Sequence, residues 1–164
     1  MPSRVLVALR VKCTRERAFE AFTREIAAWW RPQGLFEFTR QDTRVLRFEP
    51  GVGGRFLMTL RDGSDFEIGR IERWDPPHEL VFSWRTQRFS AEQSTTVRVR
   101  FEPAEAQTGV ETRVTVEHSA WDGIPREHAA RHGLPLDVFQ LRLGEWWQVL
   151  LASLRPSAEA PPPI

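Results

Sequence analysis

Apolar and polar residues alternate with a period of two along seven stretches of the chain. This alternation is typical of β-strands that have one buried and one exposed face. Turn signals such as Asp62-Gly63 leave only hairpin-length connections between neighbouring stretches, which predicts antiparallel pairing. The predicted strands cover residues 5–12, 45–48, 55–61, 66–74, 80–85, 95–102 and 112–118.

Two other segments have the 3.6-residue period of amphipathic helices. The shorter one, residues 14–30, has Thr14 as its predicted N-cap and ends before Pro32, and either one helix or two helices broken near Thr23 would fit. The longer one, residues 136–154, carries a broad apolar stripe that requires a large apolar surface against it. That stripe consists of Phe139, Leu143, Trp146, Leu150 and Leu154, widened by Leu136, Trp147 and Leu151.

The order of these elements is one strand, a helical pair, six strands and a long helix. Consecutive strands with short turns form an antiparallel sheet, and the terminal helix is the element available to cover its apolar face. We therefore predict an α+β fold in which a curved seven-stranded sheet wraps around the C-terminal helix and leaves a cavity between them. Residues 1–155 form one domain in this prediction, and the proline-rich tail, residues 156–164, is disordered.

The charge balance excludes some classes of partner. The 164 residues include 23 basic and 22 acidic side chains, a net charge of +1, whereas nucleic-acid and anionic-membrane binding need a basic face. The single cysteine, Cys13, excludes an intramolecular disulfide. No stretch has the 18 or so apolar residues of a membrane span, and no signal peptide is evident, so we expect a cytoplasmic protein.

Five segments carry a family resemblance: FEAFTREIAAWW, EPGVGGRF, GRIERWDPPHELVFSW, EHSAWDG and GEWWQVLLASL. In this order and spacing, over roughly residues 4 to 155, the chain resembles the bacterial single-domain proteins of the activator of heat-shock-protein-90 ATPase homologue family. That family lies in the START and Bet v allergen-like superfamily, also called SRPBCC. The resemblance implies the helix-grip fold, a seven-stranded antiparallel sheet that grips a long C-terminal helix, and it implies a homodimer and a chaperone as further partners.

Members of that superfamily range from lipid carriers to polyketide cyclases, so the fold does not decide the function. The aromatic residues are more informative, because the chain has seven tryptophans and eleven phenylalanines, more than a core of this size needs. Ligand pockets are lined mainly by such residues together with a few polar groups. We expect Trp29 and Trp30 at the pocket mouth and Trp84 and Trp146 as a core pair. The predicted ligand-binding residues are Trp29, Trp30, Phe36, Phe38, Met58, Glu67, Trp84, His118, Trp121 and Trp146.

Two of these predicted residues are ionisable. Alternation places His118 on the same face as Val114 and Val116, toward the helix. There it is either a ligand-binding group or general base, or a histidine whose hydrogen bonds are satisfied by the backbone at the end of the sheet.

The orientation of Glu67 depends on the phase of its strand. It faces inward if Gly69 and Ile71 do, and it faces water if Phe66 and Ile68 are the inward residues.

Several other motifs favour ordinary structure over chemistry. His128 and His132 have the spacing of metal ligands on a helix but lack a third ligand, so a solvated helix surface is expected. The glycines of residues 51–54 lack the lysine of a phosphate loop and indicate a turn. Arg55 is expected in solvent, and Cys13 is expected to be an inert thiol. We predict no metal and no cofactor.

The sequence therefore favours a protein that binds a small hydrophobic or aromatic molecule between sheet and helix, with no catalytic residue assigned. Two alternatives follow from the resemblance. One is an interaction module that stimulates a heat-shock-protein ATPase. In the eukaryotic relatives a separate N-terminal domain does much of that binding, and these 164 residues have no room for one. The other is a polyketide cyclase or aromatase, with His118 or Glu67 as general acid or base.

Overall fold

The computed structural model describes residues 4–30, 43–85, 89–90, 92–131 and 133–161. Seven strands are observed, and α1 to α3 occupy the segments that the sequence pattern predicts to be helical. The strands are β1 Arg4–Val11, β2 Thr43–Phe48, β3 Arg55–Leu60, β4 Asp65–Asp75, β5 Glu79–Trp84, β6 Thr95–Ala104 and β7 Glu111–Ser119. The helices are α1 Arg15–Thr23, α2 Ile26–Trp29, α3 Leu136–Ala152 and α4 Leu154–Glu159, with 3-10 turns at Trp121–Gly123 and Ala129–Arg131.

The strands form one antiparallel sheet in the order β1-β7-β6-β5-β4-β3-β2. Its register places apolar residues in rows across the inner face, as where Val7, Val116, Val99 and Leu80 lie side by side and buried. A shift by one residue would turn each row toward solvent, so burial of these rows specifies the register. The outer face carries charged pairs, for example Arg98 opposite Glu117.

Helix α3 lies against the inner face, closest to β1. Its buried residues are Phe139, Leu143, Trp147, Leu150 and Leu151. The arrangement is the helix-grip fold, and it confirms the predicted α+β class, the seven strands and the covering helix. One detail differs, because Trp147 is fully buried whereas Trp146 is only partly buried. The predicted stripe is otherwise observed, since Phe139, Leu143, Leu150 and Leu154 are all buried.

The helical pair is divided into α1 and α2 rather than forming one helix. Thr14 caps α1, since its Oγ1 accepts a hydrogen bond from the Arg17 backbone N–H at 3.1 Å. The rings of Phe19 and Phe22 pack on Phe101 of β6 at centroid distances of 5.2 and 6.0 Å. Helix α1 thus packs against β6 and β7 and lies next to the C-terminal helix α4.

The structure differs from the expectation of disorder beyond Pro156. Residues 154–159 form α4, and its Ala158 is buried. Arg17 of α1 holds this helix, because its guanidinium pairs with Glu25 and donates to the Ser157 carbonyl at 2.8 Å. Carbonyl groups at the end of a helix have no partners within the helix, so a partly buried arginine beside them stabilises that end. Residues 162–164 lie outside the described part.

Candidate functional site

A chain of four buried groups links α3 to the sheet through His118. The Trp147 Nε1–H donates to His118 Nδ1 at 3.1 Å, and His118 Nε2 lies 2.8 Å from Thr95 Oγ1. The Thr95 hydroxyl in turn donates to the Trp84 carbonyl at 2.9 Å. His118 and Thr95 are both 0% exposed. The inward orientation predicted for His118 is therefore observed, at the inner face between β6, β7 and α3.

These contacts determine the protonation state of His118. An indole N–H only donates, so Nδ1 must be the acceptor and the ring proton must be on Nε2. Burial lowers the pKa of His118 from 6.5 to about 3, because a charged imidazolium would be desolvated there. Near neutral pH the ring is therefore neutral, and both of its nitrogens are hydrogen-bonded. This agrees with the alternative in which the hydrogen bonds of His118 are satisfied within the fold, except that its partners are side chains and not backbone groups.

Five rings extend from β2 to α3 along the inner face, and we call them the aromatic array: Phe48, Phe56, Trp30, Trp146 and Trp147. Phe48 stacks on Phe56 at 4.2 Å, Trp30 packs edge-on against Phe56 at 5.6 Å, and Trp146 and Trp147 pack against Trp30 at 6.1 and 5.3 Å. The three central rings are fully buried, whereas Phe48 and Trp146, at the two ends, are only partly buried. These two end rings therefore keep part of their surface exposed.

Strand β4 contains a bulge, and this bulge decides which of its residues face inward. Phe56 pairs with Gly69 and Leu57 pairs with Glu67, so Ile68 is an extra residue without a counterpart on β3. A bulge changes which alternate positions face inward, and both predicted alternatives are therefore partly realised. The apolar residues of β4 that contact or belong to the core are Phe66, Ile68, Ile71 and Trp74, and Gly69 is buried with them.

Glu67 lies on the outer face. It is opposite Leu57, which points away from the inner residues Phe56 and Met58 on either side of it. One third of the Glu67 side chain is exposed, and its Oε1 lies 3.2 Å from Arg70 Nη2. The carboxylate is thus a surface ion-pair partner and does not face the interior.

The other predicted residues fall into three groups. Met58, Trp84 and Trp121 are buried on the inner side of the sheet, as is Trp30 of the aromatic array. Trp29 is 1% exposed and its Nε1 donates to the Ala21 carbonyl at 3.0 Å, so it packs beneath α1 and is not at an open mouth. Phe36 and Phe38 lie outside the described residues.

Sequence reasoning missed several residues of this interior. Thr95 begins the inward row of β6, and its position could have been inferred from that alternation. Phe48 likewise ends the inward row of β2. Trp147 was identified only as the edge of the stripe, because helical periodicity does not distinguish adjacent positions near its border. No pattern pointed to Arg131, which is buried although it lies in an irregular loop.

The motifs that were set aside have structural partners. His128 lies before a 3-10 turn, where its Nδ1 accepts from the Ala130 N–H at 3.0 Å, and His132 lies outside the described residues. Arg55 is held by Glu49 at 2.8 Å, which lowers the pKa of that carboxyl to about 2. Burial raises the pKa of the Cys13 thiol from 9.0 to about 11. In the described ranges no group of three or more histidine, cysteine or acidic residues could hold a metal ion.

None of the helices in the described ranges has both the length and the apolar character needed to span a bilayer.

Comparisons with solved structures agree with this architecture. The Aha1 dimer from Colwellia psychrerythraea is 16% identical, with 95% of this chain and 96% of the other covered and a TM-score of 0.61. An HSP90 activator from Plasmodium falciparum is 21% identical, with 93% of each chain covered and a TM-score of 0.55. An anthrahydroquino-gamma-pyrone synthase, Txn09, complexed with SUM, is 27% identical, with 96% and 99% covered and a TM-score of 0.53.

Curated proteins gave no significant match. The family model described as activator of Hsp90 ATPase homolog 1-like protein matches residues 12–156, which is most of the chain and includes both helical segments and six of the seven strands. Together with the helix-grip fold, this match shows that the chain belongs to the family of activator of Hsp90 ATPase homolog 1-like proteins.

Proposed function

We propose that this protein binds a small hydrophobic or aromatic molecule between the sheet and α3. The observation that carries the proposal is the aromatic array, whose end rings Phe48 and Trp146 are packed against the core but incompletely buried. A monomeric domain normally buries such large rings completely or uses them for contacts. Phe66 of β4 is a third inner-face ring that is only partly buried. A flat apolar ligand that covers these rings would remove their remaining surface from water.

The proposal assigns no catalysis. A general base needs a free lone pair within reach of the substrate, and the Nδ1 lone pair of His118 already accepts from Trp147. Glu67, the other candidate, is on the outer face. The 27% identical synthase supports a second candidate, an enzyme that closes rings on a polyketide-like substrate. In that case the catalytic groups would differ from the two that the sequence suggested.

A further candidate is an interaction module that contacts a chaperone or a second copy. It is supported by the family and by an exposed apolar row on α3, the side away from the sheet: Val138, Leu141 and Val149, exposed by 38%, 64% and 68%. A row of this size is smaller than the apolar centre of a stable interface, so ligand binding is the better-supported function. We place it in the cytoplasm, where the free thiol of Cys13 would remain reduced.

The test combines native mass spectrometry of the purified protein with titration of N-phenyl-1-naphthylamine, a neutral dye that fluoresces in apolar sites. We expect saturable binding that is weakened at least fivefold by Trp146→Ala. The matched control is Leu141→Ala, an exposed residue five positions earlier on the far side of the same helix, which should bind as the wild type does. Absence of both a co-purified molecule and dye binding would refute the proposal, and equal loss in both variants would place the dye elsewhere.

A further inference from the structure

One buried tryptophan in the interior lacks a hydrogen-bond acceptor. Trp121 is 0% exposed, and its Nε1–H has no partner. Its ring is enclosed by Phe139, His118, Trp84 and Phe89, at centroid distances of 4.6, 5.3, 5.5 and 5.8 Å. Such a donor is costly in an apolar environment because water is excluded from it.

Other buried indoles of this chain show what is ordinary. The Nε1–H of Trp29 donates to the Ala21 carbonyl at 3.0 Å, and that of Trp147 donates to His118 at 3.1 Å. Buried tryptophans usually find such a partner. The N–H of Trp121 differs from these two indoles because it has no acceptor.

Arg131, a buried arginine on the same connection between β7 and α3, has no counter-ion among the described residues. Arg131 is 5% exposed, and no carboxylate of the described residues lies within ion-pair distance of it. Its Nη1 and Nη2 donate to the carbonyls of Ile124 and Leu134 at 2.9 and 2.8 Å, whereas its Nε–H has no acceptor. By contrast, the partly buried guanidinium of Arg17 pairs with Glu25. An unpaired buried charge costs several kcal/mol unless an anion compensates it.

The two donors are held on one short segment. Ala120 has a left-handed backbone, with φ of 72°, and turns the chain from β7 into the 3-10 turn that carries Trp121. The Ile124 N–H donates to the Trp121 carbonyl at 3.0 Å, and the Ile124 carbonyl accepts from Arg131. Both side chains also contact the ring of Phe139, since the Arg131 Cζ lies 5.5 Å from its centroid. The donors are thus fixed relative to each other by the fold.

We infer that this end of the interior binds an anionic oxygen, a carboxylate or phenolate, carried by an aromatic ligand. Arg131 supplies the positive charge and Trp121 a directed N–H, while the surrounding rings contact the apolar part of the ligand. The inference rests on the proposed function and specifies the ligand class for it. The alternative is that Arg131 only joins residues 124 and 134, in which case a ligand's charge would be irrelevant.

Two dyes of nearly the same shape distinguish these cases. 8-Anilino-1-naphthalenesulfonate carries an anionic group that N-phenyl-1-naphthylamine lacks, so the ratio of their dissociation constants reports recognition of the anion. In the full-length protein we expect Trp121→Phe, which keeps an aromatic ring, to weaken the anionic dye about tenfold relative to the neutral one. Arg131→Gln should change the ratio at least as much. The control Arg142→Gln removes an exposed cation of α3 and should leave the ratio unchanged.

Each result has a defined meaning. A ratio that neither Trp121→Phe nor Arg131→Gln changes, or a wild type that binds only the neutral dye, overturns the inference and leaves the proposed function standing. A change of similar size in Arg142→Gln also overturns it, because the anion would then respond to surface charge. If neither dye binds the wild type, both the inference and the proposed function fail. Because Trp121→Phe leaves Arg131 in place, it remains informative if Arg131→Gln disturbs the loop.

Discussion

Acidification should destabilise the fold through His118. The pKa of the folded-state ring is about 3, whereas that of an ordinary histidine is 6.5, because burial disfavours the charged form. Below pH 6.5 the unfolded chain therefore binds a proton that the folded chain does not bind. The stabilising contribution is complete above pH 6.5 and is lost as the pH falls toward 3.

The size of the effect follows from this difference of one proton. The free energy of unfolding should fall by about 1.4 kcal/mol per pH unit once the unfolded histidine is protonated, which gives about 2 kcal/mol between pH 7.5 and pH 5. The folded-state pKa lies well below this interval, so the figure does not depend on its exact position. Carboxyl groups with a lowered pKa, such as Glu49, lose their contribution mainly below this interval, since the ordinary value is 4.5.

Urea unfolding at a series of pH values measures this slope in the wild type and in His118→Gln, which removes the titrating ring. The variant should be less stable near neutral pH, because Trp147 loses its acceptor, but its stability should vary much less between pH 7.5 and pH 5. His78→Gln is the matched control, since His78 is exposed in the turn between β4 and β5, and it should keep the wild-type slope. Parallel pH profiles for the wild type and His118→Gln would refute this reasoning.

Three further substitutions or reactions test other parts of the fold. In Gly69→Ala the new Cβ would lie 1.6 Å from a backbone carbonyl oxygen of β5, so unfolding by urea should show a loss above about 2 kcal/mol, whereas Gly123→Ala, with no atom in reach, should stay within about 0.5 kcal/mol. Arg17→Met should release α4 and speed hydrogen exchange in residues 154–160, while Arg24→Met should not. The raised pKa of Cys13 should slow its reaction with Ellman's reagent about 100-fold compared with the urea-unfolded chain.

Each of these expectations has a contradicting result. Equal stability of the two alanine variants would mean that β4 and β5 separate without cost at the bulge. Unchanged exchange in Arg17→Met would mean that apolar burial of Leu154 and Ala158 alone holds α4. A thiol that reacts equally fast in the folded and unfolded chain would mean that Cys13 is accessible as thiolate, contrary to its half-buried position.

Much of the architecture could be predicted from local patterns. A period of two in the apolar residues identified each strand, because successive side chains of a strand point to opposite faces of the sheet. A period of 3.6 identified the helical segments. Thr14 was recognisable as a cap because its hydroxyl can accept from the first turn of α1. His118 was correctly oriented by the same alternation that orders Val114 and Val116.

Other features depended on how the elements pack. The bulge at Ile68 decided the orientation of Glu67, and a bulge is defined by the partner strand, which local alternation does not contain. The order of α4 depended on Arg17, 140 positions away from Ser157, which the composition of a proline-rich tail does not indicate.

The sequence by itself determined the order, type and inward faces of the strands and helices, because these follow from the spacing of apolar residues along the chain. Only the tertiary structure decided which polar groups acquire partners. His118 became a neutral, fully bonded core residue because Thr95 and Trp147 reach it from two other elements. Trp121 and Arg131 kept unpaired N–H groups because the rings around them offer no acceptor, and hydrogen bonding between distant segments is set by their packing.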